Sequence, residues 1–289
     1  MRSAKLITAT NKRIFIILLL VSTQFNVSAQ ENSPYSRYGI GDIIPNQNIV
    51  NRGMGGISAA YTNPAIGDQK YITPAFLFQS INLVNPASLG GLNNTIFDIG
   101  AEVDIRTLRS TSSPAKYTAT NTVISYLQLG FPLASEKMRK KGNSWGVSFG
   151  LRPISRINYK IEKNERLSGI DSLNTLYQGS GGLNQVNIGT GIKIKNFSIG
   201  INAGYSFGNR DYSTRLSFMN DSVIYYRSNT QAKARFNGFF IDAGLLYSIK
   251  LKNGAILNLG AYGNLQQSLR AKKDNIDETI AFDGTGGTI

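Results

Sequence analysis

The chain has 289 residues, a formal net charge of +14, no cysteine and no histidine. Those absences exclude disulfides, thiolate and imidazole metal sites, a lipid-modified N-terminal cysteine and Ser-His-Asp or Cys-His catalysis. Neither an enzyme nor a cofactor is expected. No Lys/Arg run is joined to a recognition helix or a stacking platform, so the basic balance suits phosphate-bearing lipid and not nucleic acid.

Arg2, Lys5, Lys12 and Arg13 precede an apolar run from Ile14 to Val21, and Val27-Ser28-Ala29 offers a small-residue cleavage site. The pattern predicts a signal peptide over 1–29 and a mature chain that starts at Gln30 with +10 of the charge. The run is too short to span a bilayer as a helix, and no later stretch is apolar enough. Residues 30–93 are rich in Gly, Asn, Pro and Ser, hold no lasting period of 2 or 3.6, and are still apolar in part. A compact irregular segment of that kind needs a shell to satisfy its backbone, and a barrel lumen provides one.

From Thr95 onward the chain alternates polar and apolar side chains over seven long segments, near 95–107, 119–134, 144–161, 183–195, 197–209, 233–251 and 255–269. In the first, Phe97, Ile99, Ala101, Val103 and Ile105 oppose Asp98, Gly100, Glu102, Asp104 and Arg106. In the fifth, Phe197, Ile199, Ile201, Ala203, Tyr205 and Phe207 oppose Ser198 to Gly208. Strands of this length, apolar outside and polar inside, predict an all-β transmembrane antiparallel β-barrel in the outer membrane. Lys195-Asn196 and Lys252-Asn253-Gly254 read as tight periplasmic turns and 135–143 as a short basic one. Segments 108–118, 162–182, 210–232 and 270 onward read as long outer loops. Seven strands do not close a bacterial barrel, so about half of the protein is expected to lie beyond residue 289.

Pro153 interrupts the third strand, where proline removes a ladder donor. That implies either a kink with a local opening or an ordinary bulge at the rim. Trp145, Val147, Phe149 and Leu151, then Ile157, Tyr159 and Ile161, are expected to point outward in one phase. Phe131, Trp145, Phe197 and Tyr247 near one end, and Tyr117, Tyr159 and Phe207 near the other, suit two interfacial girdles. Arg152, Arg156, Lys160 and Arg210 head an outer basic cluster that suits lipopolysaccharide phosphates, with a carboxylate ligand as the alternative. Asp98, Glu102 and Asp104 face the lumen, where ion pairing with the plug is the expectation. The glycines around Arg52-Gly53-Met54-Gly55-Gly56 follow no strand and open no clear helix, so they suit sharp turns better than a phosphate loop. Asn85-Pro86-Ala87 reads either as a capped gate element or as a plain turn into the first strand.

Three stretches carry a family likeness: Ser33-Pro34-Tyr35-Ser36-Arg37-Tyr38-Gly39-Ile40-Gly41-Asp42, Arg52-Gly53-Met54-Gly55-Gly56-Ile57-Ser58-Ala59-Ala60, and Asn85-Pro86-Ala87-Ser88-Leu89. A second Asn-Pro-Ala lies at Asn63-Pro64-Ala65. The segment resembles the FadL-type outer-membrane transport family. The resemblance implies a hatch at 30–93 inside a barrel of about 14 strands, with its first half at 94–289. It implies a gating role for Asn85, Pro86, Ala87, Arg52, Gly53 and Gly55, and a kinked third strand at Pro153 for lateral release. Passive uptake of hydrophobic small molecules such as long-chain fatty acids follows as the expected function. A protein-binding barrel of a type IX secretion-like system, or a structural outer-membrane protein, is the alternative.

Overall fold

A computed structural model describes residues 33–63, 79–109, 114, 116–166, 168–169, 171–219 and 225–280. The signal peptide, Pro64 and Ala65 of the second Asn-Pro-Ala, and the glycine-rich stretch 284–289 lie outside the described residues. The described chain is mostly antiparallel strand. It divides into two compact units. One contains the described residues of 104–121, the distal ends of β2 and β3, where Asp104 pairs with Arg106 and the hydroxyls of Thr107 and Thr118 lie 3.1 Å apart. The other contains the remaining described residues, and all that follows concerns it.

Short elements fill its N-terminal part. A 3-10 turn Pro34–Arg37, the two-residue strand β1 (Asp42–Ile43), helix α1 (Ile49–Gly53) and a second 3-10 turn, Pro86–Gly91, form the hatch. The wall then runs as β2 (Ile96–Arg109), β3 (Lys116–Pro132), α2 (Glu136–Lys140), β4 (Asn143–Glu165), β5 (Ser172–Ile194), β6 (Phe197–Met219), β7 (Arg227–Lys250), β8 (Ile256–Asn264) and β9 (Arg270–Ile280). Strands β2 to β8 are neighbours in sequence order. The turn Pro86–Gly91 touches β4, β5, β6 and β7 alike, so the sheet curls around it.

The strands are longer than the sequence predicts. β4 to β6 have 23 residues each and β7 has 24, roughly 75 Å at about 3.3 Å per residue. Much of the expected outer loops 162–182, 210–232 and 270 onward is therefore strand. β8 and β9 pair successive parts of the same partner, Lys250 to Asp242 and then Asn237 to Arg227. Together they make one long strand interrupted at 265–269. The basic turn at 135–143 holds the helix α2, capped by Ser135, whose side chain accepts from the Met138 amide.

Exposure is inverted relative to a water-soluble sheet. Phe97, Ile99, Ile199, Ile201, Phe239 and Leu245 are exposed, whereas Ser148, Gln185, Ser198, Asn202 and Ser206 are buried on the other face. Register aligns the apolar residues into a level band. Trp145, Ile192, Ile199 and Leu245 lie across from one another at its lower edge, and Leu151, Val186, Tyr205 and Phe239 near its upper edge. On β6 the band runs from Phe197 to Phe207, within the roughly 9–11 residues that cross a bilayer at a tilt. This is the lipid-facing belt of a transmembrane β-barrel wall. The dry interior is correspondingly small: Ile81, Leu89, Leu92 and Ile96, with Leu83 against them.

Candidate functional site: the hatch and the seam between β3 and β4

Three asparagines knot the hatch. Asn48 caps α1 by accepting from the Asn51 amide (2.7 Å), and it donates to Ser80 Oγ and the Ile81 carbonyl (both 2.8 Å). Asn82 donates to the carbonyls of Ser58 and Tyr61 while accepting from the amides of Val84 and Asn85. Asn85 accepts from the Ala87 amide (3.0 Å) and donates to the carbonyls of Ala59 (2.5 Å) and Leu245 (3.1 Å). All three are buried. A buried amide left unpaired is costly, so these side chains replace the backbone ladder that the irregular segment lacks.

Charge and hydroxyl groups tie the same segment to the wall. Arg52 grips Glu102 with both guanidinium ends, each at 2.7 Å, and the hydrogen bond to that carboxylate raises the arginine above its ordinary pKa. Asp98 accepts from Ser80 Oγ (2.6 Å) and the Ile81 amide (2.8 Å). Burial, with the negative charge of Asp98 adding to it, pushes the Tyr61 phenol up. The carboxylates of β2 within this unit thus bind the hatch, as lumen charges were expected to do.

Asn85-Pro86-Ala87 sits on a row of glycines. Gly146, Gly191, Gly200 and Gly244 are mutual register partners across β4, β5, β6 and β7. A Cβ at Gly146 would overlap the Leu89 carbonyl, one at Gly200 would overlap Pro86, and one at Gly244 would overlap Asn85. Ser144 Oγ also donates to the Gly90 carbonyl. The motif is therefore a turn seated in a groove of missing side chains. In the sequence each glycine is merely one polar-phase position among many; only register reveals the row. Gly53 ends α1, and Gly55 and Gly56 follow at φ +76° and +83°, a left-handed bend that glycine adopts without strain.

The seam lies beside Pro153. The β3–β4 ladder runs from Pro132↔Gly146 to Leu127↔Leu151. The Trp145 carbonyl accepts from Leu133 on the β3 side, so the odd residues of β4 address β3, and the next in line, Pro153, brings no N–H. Ile154 is then bulged, because Pro153 pairs with Asn184 and Ser155 with Leu183. Beyond it the hatch supplies the neighbour: β1 pairs Asp42 with Arg156 and Ile43 with Ser155, and the Ile44 amide donates to Ile154 (2.8 Å). The Arg156 guanidinium reaches the Ile124 carbonyl at 3.2 Å.

That single extra residue corrects the expected phase. A one-residue shift moves every following side chain to the opposite face. Ile157 and Tyr159 are consequently buried inside and do not belong to the outer girdle. The basic cluster splits in the same way. Arg156 and Lys160 point outward. Arg152 points inward and is half-buried, its Nε and Nη2 donating to Gln185 Oε1 at 2.9 and 2.7 Å. Arg210 also lies inside, donating to the Gly39 carbonyl (3.1 Å) and covering the rings of Tyr212 and Phe236. Neither can belong to an outer cluster.

Among the described residues no three carboxylates converge as a metal site would require. The inner face instead carries a relay of amides: Gln128 to Asn187 (3.1 Å), Asn187 to Asn202 (3.1 Å) and Asn202 to Asp242 (3.5 Å).

An apolar-belted antiparallel wall around a hydrogen-bonded hatch defines the class: an outer-membrane β-barrel protein. The sequence pattern described as BamG matches residues 11–289, so the chain belongs to the BamG family, which is associated with the outer membrane. This overturns the FadL-type resemblance, which rested on three short stretches of residues 33–89. The uptake of fatty acids and the type IX secretion reading fall with it. A stretch of 94 residues is 36% identical to the anhydro-N-acetylmuramic acid kinase of Clostridioides difficile (strain 630), covering 28% of this chain and 24% of that enzyme. The chain spans about a quarter of that relative, too little to bear on fold or activity. No solved structure matches.

Proposed function

We propose that this protein is a non-catalytic barrel subunit of the outer-membrane β-barrel assembly machinery, and that it works by holding partner proteins. Membership of the BamG family supports the machinery. In this reading the strands, through their apolar belt, hold the protein in the membrane. The observation that carries a protein-binding role is the height of the wall. Above Phe207, β6 continues through Asn209, Asp211, Ser213, Arg215 and Ser217 on its outward face, and its neighbours rise with it. A tall sheet polar on its outer side is suited to proteins at the membrane surface. Lipid meets only the belt below.

The test is purification of the full-length protein from detergent-extracted outer membranes, paired with its depletion in cells. Other proteins of the assembly complex should co-purify, and depletion should lower the level of folded outer-membrane barrels. A protein that purifies alone, with barrel levels unchanged on depletion, would overturn the reading.

A further inference from the structure

We propose that the outward residues immediately above the apolar belt form a binding site for the phosphate groups of outer-leaflet lipid headgroups, built from Arg235, Lys272 and Arg270. The inference rests on the belt's placement in lipid and does not depend on which proteins the wall meets. Register puts these side chains together. Gly182, Asn209, Arg235 and Lys272 are successive cross-strand partners on β5, β6, β7 and β9, and Arg270 stands one position lower, opposite Asn237. From β5 to β9 this level holds cations and no carboxylate, whereas at its β4 end Arg156 lies opposite Asp42 of β1 and is left out of the site.

Arg235 and Lys272 face each other directly, and directly opposed like charges on one sheet face repel. Neither has a carboxylate partner among the described residues. One level higher the charges are balanced: Lys233 lies 4.0 Å from Asp211 and opposite Asp274. The imbalance is thus confined to the level where headgroup phosphates would lie. Directly beneath it, Tyr205 packs against Phe207 and Phe239, with ring centroids 6.4 and 5.1 Å apart, and Phe239 is 80% exposed. Aromatic rings with cations above them match the boundary between acyl chain and headgroup. A guanidinium beside an ammonium suits a phosphate dianion, which accepts two parallel bonds from arginine and a point charge from lysine.

Native mass spectrometry of the full-length protein in detergent, titrated with bisphosphorylated lipid A and with its dephosphorylated form, tests this. The wild type should retain the phosphorylated lipid preferentially. Arg235→Gln/Lys272→Gln should weaken that preference by about tenfold or more, on the order of a lost charge-assisted hydrogen bond. The exchange Arg235→Lys/Lys272→Arg should keep it. All side chains changed are on the exposed face, and heat-modified gel mobility checks that the barrel is intact. Equal retention of both lipids, or a preference that survives in the intact Gln variant, would overturn the site. Failure of the belt itself would show differently, as protein that leaves the membrane without detergent.

Discussion

The wall below the bulge and the wall above it use the same strands under opposite rules. Below, the outward face is Trp145, Phe149, Ile199, Ile201 and Leu245, and the inward face is mainly glycine, serine and amides, with Phe240 and Leu246 the large apolar exceptions on β7. Above, the outward face turns polar while Ile157, Tyr159 and Leu183 become buried inside. In lipid, apolar side chains gain little by turning inward. Once a strand leaves lipid, water restores the ordinary preference and large apolar groups move to the interior. β4 makes that exchange with one bulged residue, Ile154.

Deleting Ile154 should have the largest effect on this contrast. It would return β4 to a single phase, moving Ile157 and Tyr159 outside and driving Arg156 and Lys160 inside. Losing two large buried side chains costs about 3–6 kcal/mol before any desolvation of the cations. No heat-modifiable folded band should form. A folded band would mean that the two regions do not depend on the bulge.

A charge scan of one face comes next. Ile201→Arg at mid-belt should cost about 2–4 kcal/mol, whereas Ser213→Arg, on the same outward face higher up, should cost almost nothing. Urea unfolding in lipid vesicles measures both, and equal costs would place the two positions in one environment. The simple lumen rule predicts that Asn202→Arg is harmless. The amide relay from Asn187 to Asp242 through a buried Asn202 predicts otherwise.

The glycine row offers a packing test of similar or smaller size. Gly200→Val would drive a side chain into Pro86, and such overpacking costs typically about 1–3 kcal/mol. Gly263→Val meets nothing within 4 Å and should be neutral. Amide exchange in Pro86–Gly91 should accelerate only in the first variant. Unchanged exchange would mean that the hatch is held by its asparagines and not by the groove.

Fold class was legible because a belt imposes period 2 on every crossing strand, and Phe197 to Phe207 writes it without a break. The upper strands were not, since residues 210–219 and 227–232 are polar on the outward side and read as loop. Their strand state comes from pairing with one another. Arg152 and Arg210 were misplaced because their height along the strand was weighed and their phase was not: with Leu151 and Phe207 outward, unbroken alternation puts both even-numbered arginines inside. The bulge changes the phase only of the residues after it, Arg156 and Lys160 among them. Asn48 and Asn82, missed entirely, did carry a faint signal: each is an asparagine at the mouth of a turn or helix.

The smallest expected effect belongs to Pro153→Val. Taken alone, the proline invites the idea that restoring a donor would straighten β4 and close the seam. The structure separates the two features. Pro153 withholds an N–H on the β3 side, while the bulge is one residue further on and is held by the burial of Ile157 and Tyr159 on one side of it and by the Ile44–Ile154 bond on the other. One regained hydrogen bond is worth only about 0.5–1.5 kcal/mol, less than the burial of either side chain. The variant should therefore keep Ile154 bulged and β1 in place, with stability raised slightly or not at all. Amide exchange at Ile44 is the discriminating readout. Protection equal to wild type means that inner packing holds the seam; loss of protection would show that the proline itself keeps β3 away and leaves the edge for β1.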